Sequence, residues 1–200
     1  QMPAFCGIGD GALLFDTPLY RAEPFEARAP CLHLQLRRHD PARRAHIMNV
    51  GFAPPDGAPT VETAVLIAAP IERVWAVLTD FARYGEWNRY ITGIAGGAAA
   101  GSVIEVTSVE GGDSTKKSVT IEGLAPHAMH WVGGADSLAD FRGDHFFELQ
   151  PAAANEILFL HREYFTGHFA KSIIDQFGGQ IRQNFELYNQ CLKVESERQT

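Results

Sequence analysis

The chain has 200 residues and a mass of 22.0 kDa, enough for one domain with an appendage and short of two full cores. With 46% hydrophobic and 20% charged residues it is composed like a globular protein, which excludes a disordered, collagen-like or coiled-coil chain. Seventeen Lys and Arg against 24 Asp and Glu give a net charge of -7, so no nucleic-acid partner is expected, because affinity for a phosphate backbone needs concentrated cationic charge.

The chain divides near Met48: residues 1–47 hold six Arg and five acidic residues, whereas 48–200 hold 11 basic and 19 acidic ones. Residues 1–59 read as an N-terminal extension and linker. Within them Leu32-His33-Leu34-Gln35-Leu36-Arg37 alternates with period two, as a half-buried strand does, and Ala12–Phe15 is a weaker candidate. His33, His39 and His46 fit no helical zinc motif, and Gly7–Gly11 lacks the preceding strand and the Gly-Lys-Ser/Thr of a phosphate loop. No basic start, continuous apolar stretch and cleavage site precede Arg21, so no secretory signal is expected; Met48 is an alternative start. Cys6, Cys31 and Cys191 are widely spaced with no CxxC, which predicts neither a disulfide framework nor a thiolate zinc site, and a reduced, cytoplasmic protein. Apolar runs such as Ala64–Ile71 fall far short of the roughly 20 residues that span a bilayer, so no membrane span is expected.

Gly51–Pro59, with Pro54, Pro55 and Pro59, is a linker or extended lead-in, and a regular domain follows over 60–197. Val61–Ile67 is rich in β-branched residues and reads as a strand; after Pro70, Val74, Trp75, Val77 and Leu78 recur at helical spacing. Phe81–Tyr90 suggests a second short helix. Strands are predicted at Ile91–Ile94, Ser102–Val109, Lys117–Leu124, Met129–Val132, Asp140–Leu149 and Glu156–Thr166, separated by turn clusters such as Gly111-Gly112-Asp113. Over Phe169–Glu197, Ile173, Ile174, Phe177, Ile181, Phe185, Tyr188 and Leu192 form one apolar stripe, which predicts a long helix facing the sheet. Gly178-Gly179 interrupts the stripe and predicts a kink or close approach there. The sum is an α+β domain: a strand, two short helices, an antiparallel meander and a long C-terminal helix.

Four segments in this order resemble a known family: Ala69-Pro70-Ile71-Glu72-Arg73-Val74-Trp75, Asp80–Asn88, Phe141–Leu149 and His161–Gly167. Together they are similar to the SRPBCC superfamily, which includes START lipid-transfer domains, polyketide cyclases and birch-pollen-allergen-like proteins. The resemblance covers about residues 60–197, with Gly85 where many relatives carry proline. It implies the helix-grip fold, a curved antiparallel sheet wrapped around the C-terminal helix and enclosing an apolar cavity. It implies no cofactor and no metal, and it leaves function open, because the superfamily includes binders, carriers and enzymes.

A hairpin centred near Ala153 would pair Leu149 with Ile157, Phe147 with Phe159, His145 with His161 and Gly143 with Glu163. Alternation then puts Phe147, Leu149, Ile157, Phe159 and Phe165 around His145, His161 and Glu163 on the cavity face, with Arg142, Asp144, Glu148, Glu156 and Arg162 on a solvated face. The trio has four readings: a hydrogen-bonded polar patch, an anchor for the polar end of a ligand, an acid/base pair with Glu163 orienting an imidazole, or a facial metal site. Trp131 is a further candidate wall, and Phe177, Ile181, Phe185 and Tyr188 on the long helix would face the ligand or pack the core. Trp87 and Asn88 read as structural, and Lys116-Lys117 as a surface edge. The leading expectation is binding, of carrier or sensor type, of a small hydrophobic, aromatic or lipid-like molecule. The alternatives are a polyketide cyclase/dehydratase-like enzyme, or a protein-interaction module with a filled cavity.

Overall fold

A computed structural model describes residues 52–198. The candidate strands of the extension, its three histidines, its glycine loop, Cys6 and Cys31 lie outside the described residues. The elements are β1 (Thr60–Ile67), α1 (Ile71–Thr79), a 3-10 turn (Phe81–Arg83) running into α2 (Tyr84–Trp87), β2 (Ile91–Ala95), β3 (Val103–Glu110), β4 (Asp113–Ala125), β5 (Ala128–Gly134), β6 (Arg142–Ala153), β7 (Glu156–Thr166) and α3 (Ala170–Glu197). They form one seven-stranded sheet, ordered β1-β7-β6-β5-β4-β3-β2, with every neighbouring pair antiparallel. The sheet curls into a half-barrel with α3 in its grip, so the α+β helix-grip architecture implied by the resemblance is the observed one.

Local chemistry accounts for the departures in detail. Strand β4 starts at Asp113, four residues ahead of its predicted start, because Gly111 and Gly112 take φ of 62° and 96° and close a two-residue turn that pairs Glu110 with Asp113. The β6–β7 hairpin turns at Ala154-Asn155, with Asn155 at φ 76°, and a bulge lies between Pro151 and Ala153. The pairing is therefore shifted by two residues from the predicted register: Phe147 faces His161, His145 faces Glu163 and Gly143 faces Phe165. A slip of two exchanges partners and keeps every side chain on its face. Helix α3 runs unbroken through Gly178-Gly179.

Polar side chains of α3 fix it along the edge strand β1. Arg182 Nη1 donates to the Glu62 carbonyl and Lys193 Nζ to the Leu66 carbonyl, both at 2.7 Å, which occupies acceptors that the unpaired edge would otherwise expose. The C-terminal half of α3 buries Tyr188 and Leu192 against Phe147, Phe159, Val74, Leu78 and Tyr84 in the main core. Here the Tyr84 hydroxyl donates to the Leu78 carbonyl (2.7 Å) and accepts from Tyr188 (2.9 Å).

On β6 and β7 the outer sheet face is less solvated than alternation predicts. Asp144 is 2% exposed, held by Arg142 Nε (2.7 Å) and His130 Nε2 (3.0 Å), and Phe146 is buried beside it. The lead-in segment covers part of this patch: Phe52 packs edge-on against Phe146 with ring centroids 5.1 Å apart, and the Arg162 guanidinium sits 4.0 Å over the Phe52 ring.

Candidate functional site

Between the concave sheet face and the N-terminal half of α3 lies a cavity of about 500 Å³. Of the predicted residues, Trp131, His145, Glu163 and Phe165 line it from the sheet, and Phe177, Ile181 and Phe185 from α3. Phe147, Phe159 and Tyr188 do not: all three are fully buried in the adjoining core, where α3 presses onto the sheet. His161 is likewise fully buried, one layer behind His145, with its ring stacked on Phe185 at 4.0 Å.

Register explains how the polar groups converge. Trp131, His145, Glu163 and Val61 form one row across β5, β6, β7 and β1, while Met129, Phe147, His161 and Thr63 form the next. His145 and His161 are therefore diagonal neighbours on one face, close enough for long side chains to meet. Their Nε2 atoms lie 2.5 Å apart.

A chain of hydrogen bonds assigns the protons. The Thr63 hydroxyl donates to the His161 carbonyl (3.3 Å) and accepts from Asn189 Nδ2 (2.9 Å). This orients the amide so that Asn189 Oδ1, an acceptor only, faces His161 Nδ1 at 2.8 Å. His161 therefore carries its proton on Nδ1 and accepts at Nε2, His145 donates from Nε2, and the remaining nitrogen, His145 Nδ1, bears a bare lone pair. Glu163 Oε2 is 4.0 Å from that nitrogen, outside hydrogen-bond range. The imidazoles are thus oriented by Asn189 and Thr63, and not by Glu163 as the sequence suggested. Asn189 stands four residues after Phe185, and an amide at helical spacing from the apolar stripe was the signal for it.

Burial dominates the electrostatics. Loss of water pushes the Glu163 carboxyl up from the ordinary 4.5 to about 8; Lys117 opposes the shift and Asp144 adds to it. Desolvation lowers His161 to about 3 against the favourable bond to Asn189, and drives His145 well below its ordinary value with help from His161 and His130. At neutral pH the cavity wall thus holds an uncharged carboxylic acid beside the uncharged imidazole of His145, with uncharged His161 behind it. Gly143 makes room for that acid, since a Cβ there would collide with Glu163 Oε1.

Sequence reasoning missed much of the polar lining. Tyr90, Ser108, Glu110, Lys117, Gln180 and Asn184 also line the cavity. Lys116 and Lys117 point to opposite faces of β4, so Lys116 pairs with Glu105 outside (2.6 Å) while Lys117 bonds Glu110 at the cavity mouth (2.9 Å). Asn88 has the structural role expected of it, its Oδ1 accepting from the Tyr90 and Ile91 amides at 2.9 Å each. Among the described residues no group of three or more His, Cys, Asp or Glu could hold a metal ion, and no helix is long and apolar enough to cross a membrane.

Comparison with known proteins agrees with this architecture. Solved structures of similar fold include the ZhuI aromatase/cyclase from Streptomyces sp. R1128, with a TM-score of 0.60, 15% identity and coverage of 70% of this chain and 94% of that one. A START superfamily protein from Mycobacterium smegmatis matches with a TM-score of 0.55, 17% identity and coverage of 69% and 97%. At these identities the likeness shows the fold alone. No curated protein matches the sequence. The family described as Polyketide cyclase / dehydrase and lipid transport matches residues 58–186, well over half of the chain. This protein belongs to that family, within the SRPBCC-type superfamily.

Proposed function

We propose that the protein binds a small hydrophobic or aromatic molecule in the cavity between sheet and α3, as a cytoplasmic carrier or sensor. The family and fold support hydrophobic-ligand binding or cyclase activity without choosing between them. The observation that carries the binding reading is the cavity: about 500 Å³, walled by Trp131, Phe165, Phe177, Ile181 and Phe185 with a few convergent polar groups. The same open cavity supports a ligand-binding role over an interaction module with a filled interior.

A second reading, cyclase- or dehydratase-like catalysis, draws on one specific feature. Glu163 as a neutral acid and His145 Nδ1 as a lone-pair acceptor stand 4.0 Å apart on the cavity wall, an arrangement suited to giving and taking a proton on one substrate. Burial weakens it, because an imidazole whose conjugate acid is made so acidic is a poor proton acceptor. Binding therefore ranks first.

Titration with the neutral apolar fluorophore N-phenyl-1-naphthylamine tests the reading. Saturable binding at one site per chain is expected, weakened about tenfold or more by Phe177→Glu. Phe177 is about half exposed at 49%, so this variant keeps the fold, which an unchanged urea midpoint would verify. Absence of saturable binding, or binding indifferent to the substitution, contradicts the reading. Catalysis would add turnover of a poly-β-keto substrate that Glu163→Gln removes while binding persists.

A further inference from the structure

The cavity has one carboxyl more than it has cations. Among its lining residues the acids are Glu110 and Glu163 and the only cation is Lys117, which is bound to Glu110 at 2.9 Å. No described side chain donates a hydrogen bond to the Glu163 carboxyl or to His145 Nδ1. These two acceptors stand 4.0 Å apart, a gap that one nitrogen bearing two or more N–H groups bridges at ordinary hydrogen-bond length. The surrounding walls, Tyr90, Trp131, Phe165, Phe177 and Phe185, are aromatic, and ring faces attract cations most strongly where water is excluded.

We propose that the cavity selects an organic ammonium ion carried on an apolar body, its nitrogen seated between Glu163 and His145. The inference rests on the cavity binding a small molecule at all. Burial keeps Glu163 protonated until the cation arrives; pairing then releases that proton to solvent, and no covalent bond of the ligand changes. The groups facing Glu163 do not supply the missing charge. His145 on β6 is neutral, Tyr90 ahead of β2 is a phenol, Lys117 on β4 opposes the upward shift of the carboxyl without overcoming burial and is itself bonded to Glu110 on β3, and α3 contributes the amides of Gln180 and Asn184. Asp144, on the far face of β6, adds only negative charge and is itself held by Arg142 and His130.

The test compares 1-naphthylmethylamine with 1-naphthalenemethanol, which share one apolar body, by isothermal titration at pH 7 in two buffers of different ionisation enthalpy. The amine should bind at least about tenfold tighter, with release of close to one proton per amine bound. In Glu163→Gln the proton release should vanish and the two probes should bind with affinities within about twofold of each other. Equal or tighter binding of the alcohol to the unaltered protein overturns the proposal and leaves the cavity reading standing, as does an amine preference that survives Glu163→Gln. Failure of both probes to bind overturns the cavity reading together with the proposal.

Discussion

A neutral imidazole has one proton for two nitrogens, so fixing the acceptor at one end of a histidine chain fixes every proton along it. Asn189 Oδ1 does this for His161 and, through it, for His145. The consequence for stability has a definite sign. Between pH 6.5 and about 3 the unfolded chain takes up a proton at His161 that the native state refuses, so stability falls as pH drops through that window, and the lowered His145 adds to the fall. Glu163 acts in the opposite sense: between 4.5 and about 8 the native state keeps a proton that the unfolded chain has released, so stability falls as pH rises through the folded value. The histidines together outweigh Glu163 below pH 6.5, and Glu163 acts alone above it. Unfolding free energies from urea titrations against pH should therefore peak near 6.5 and fall by on the order of 1 kcal/mol by pH 8. Glu163→Gln should abolish the alkaline loss and keep the acid one; an unaltered protein that is flat from pH 6.5 to 8 would contradict the assignment. Alternation in the sequence located His145, His161 and Glu163 on the cavity face. It paired His145 with His161, which do touch, but as diagonal neighbours, because a turn and a bulge near Pro151–Glu156 shift the register and set Glu163 opposite His145.

At the scale of elements, α3 was legible because its stripe repeats over seven apolar positions, from Ile173 to Leu192. The helix continues through Gly178-Gly179, with Ile174 and Ile181 on either side packed against Val61, Phe165 and Phe185. A Cβ on Gly179 would meet nothing within 4 Å, whereas one on Gly178 would lie 3.1 Å from Ile174 Cγ2. Gly179→Ala should thus stabilise the protein by roughly 0.5–1 kcal/mol through helix propensity and unfolded-state entropy, with a smaller gain or none for Gly178→Ala. Urea unfolding of the two variants checks this, and a destabilised Gly179→Ala would show that the helix bends there. Strand β4 was underestimated because Ser114-Thr115-Lys116-Lys117 reads as polar loop by composition. Its strand character comes from pairing with β3 across the Gly111-Gly112 turn, with Ser108 and Thr115 hydroxyls bonded at 3.1 Å across that pair.

For the whole molecule, the order of several motifs along the chain was enough to identify the architecture, since strand, two short helices, meander and long helix admit few other closures. The division of that architecture into core and cavity was not legible. Parity places Phe147, Phe159 and Phe165 on the same face, yet the first two sit under Tyr188 and Leu192 in the core, and only Phe165 lies in the open half under the start of α3. What separates them is distance along the grip of the helix, a tertiary quantity. The lead-in segment was underestimated for a similar reason: Phe52 covers Phe146, and the Pro59 carbonyl accepts from the Phe165 amide at 2.9 Å, contacts invisible until the sheet exists.

The central claim is a ligand cavity whose polar wall is a neutral imidazole chain with His145 Nδ1 exposed to the ligand. Nitrogen-15 spectra of the histidine side chains at pH 7, recorded with and without N-phenyl-1-naphthylamine, test it most directly. The account predicts both rings neutral, with His161 protonated on Nδ1 and His145 on Nε2, and a ligand-induced shift of His145 Nδ1 while the exposed His168 stays unchanged. Protonated rings, or a bound ligand that leaves His145 undisturbed, would contradict it.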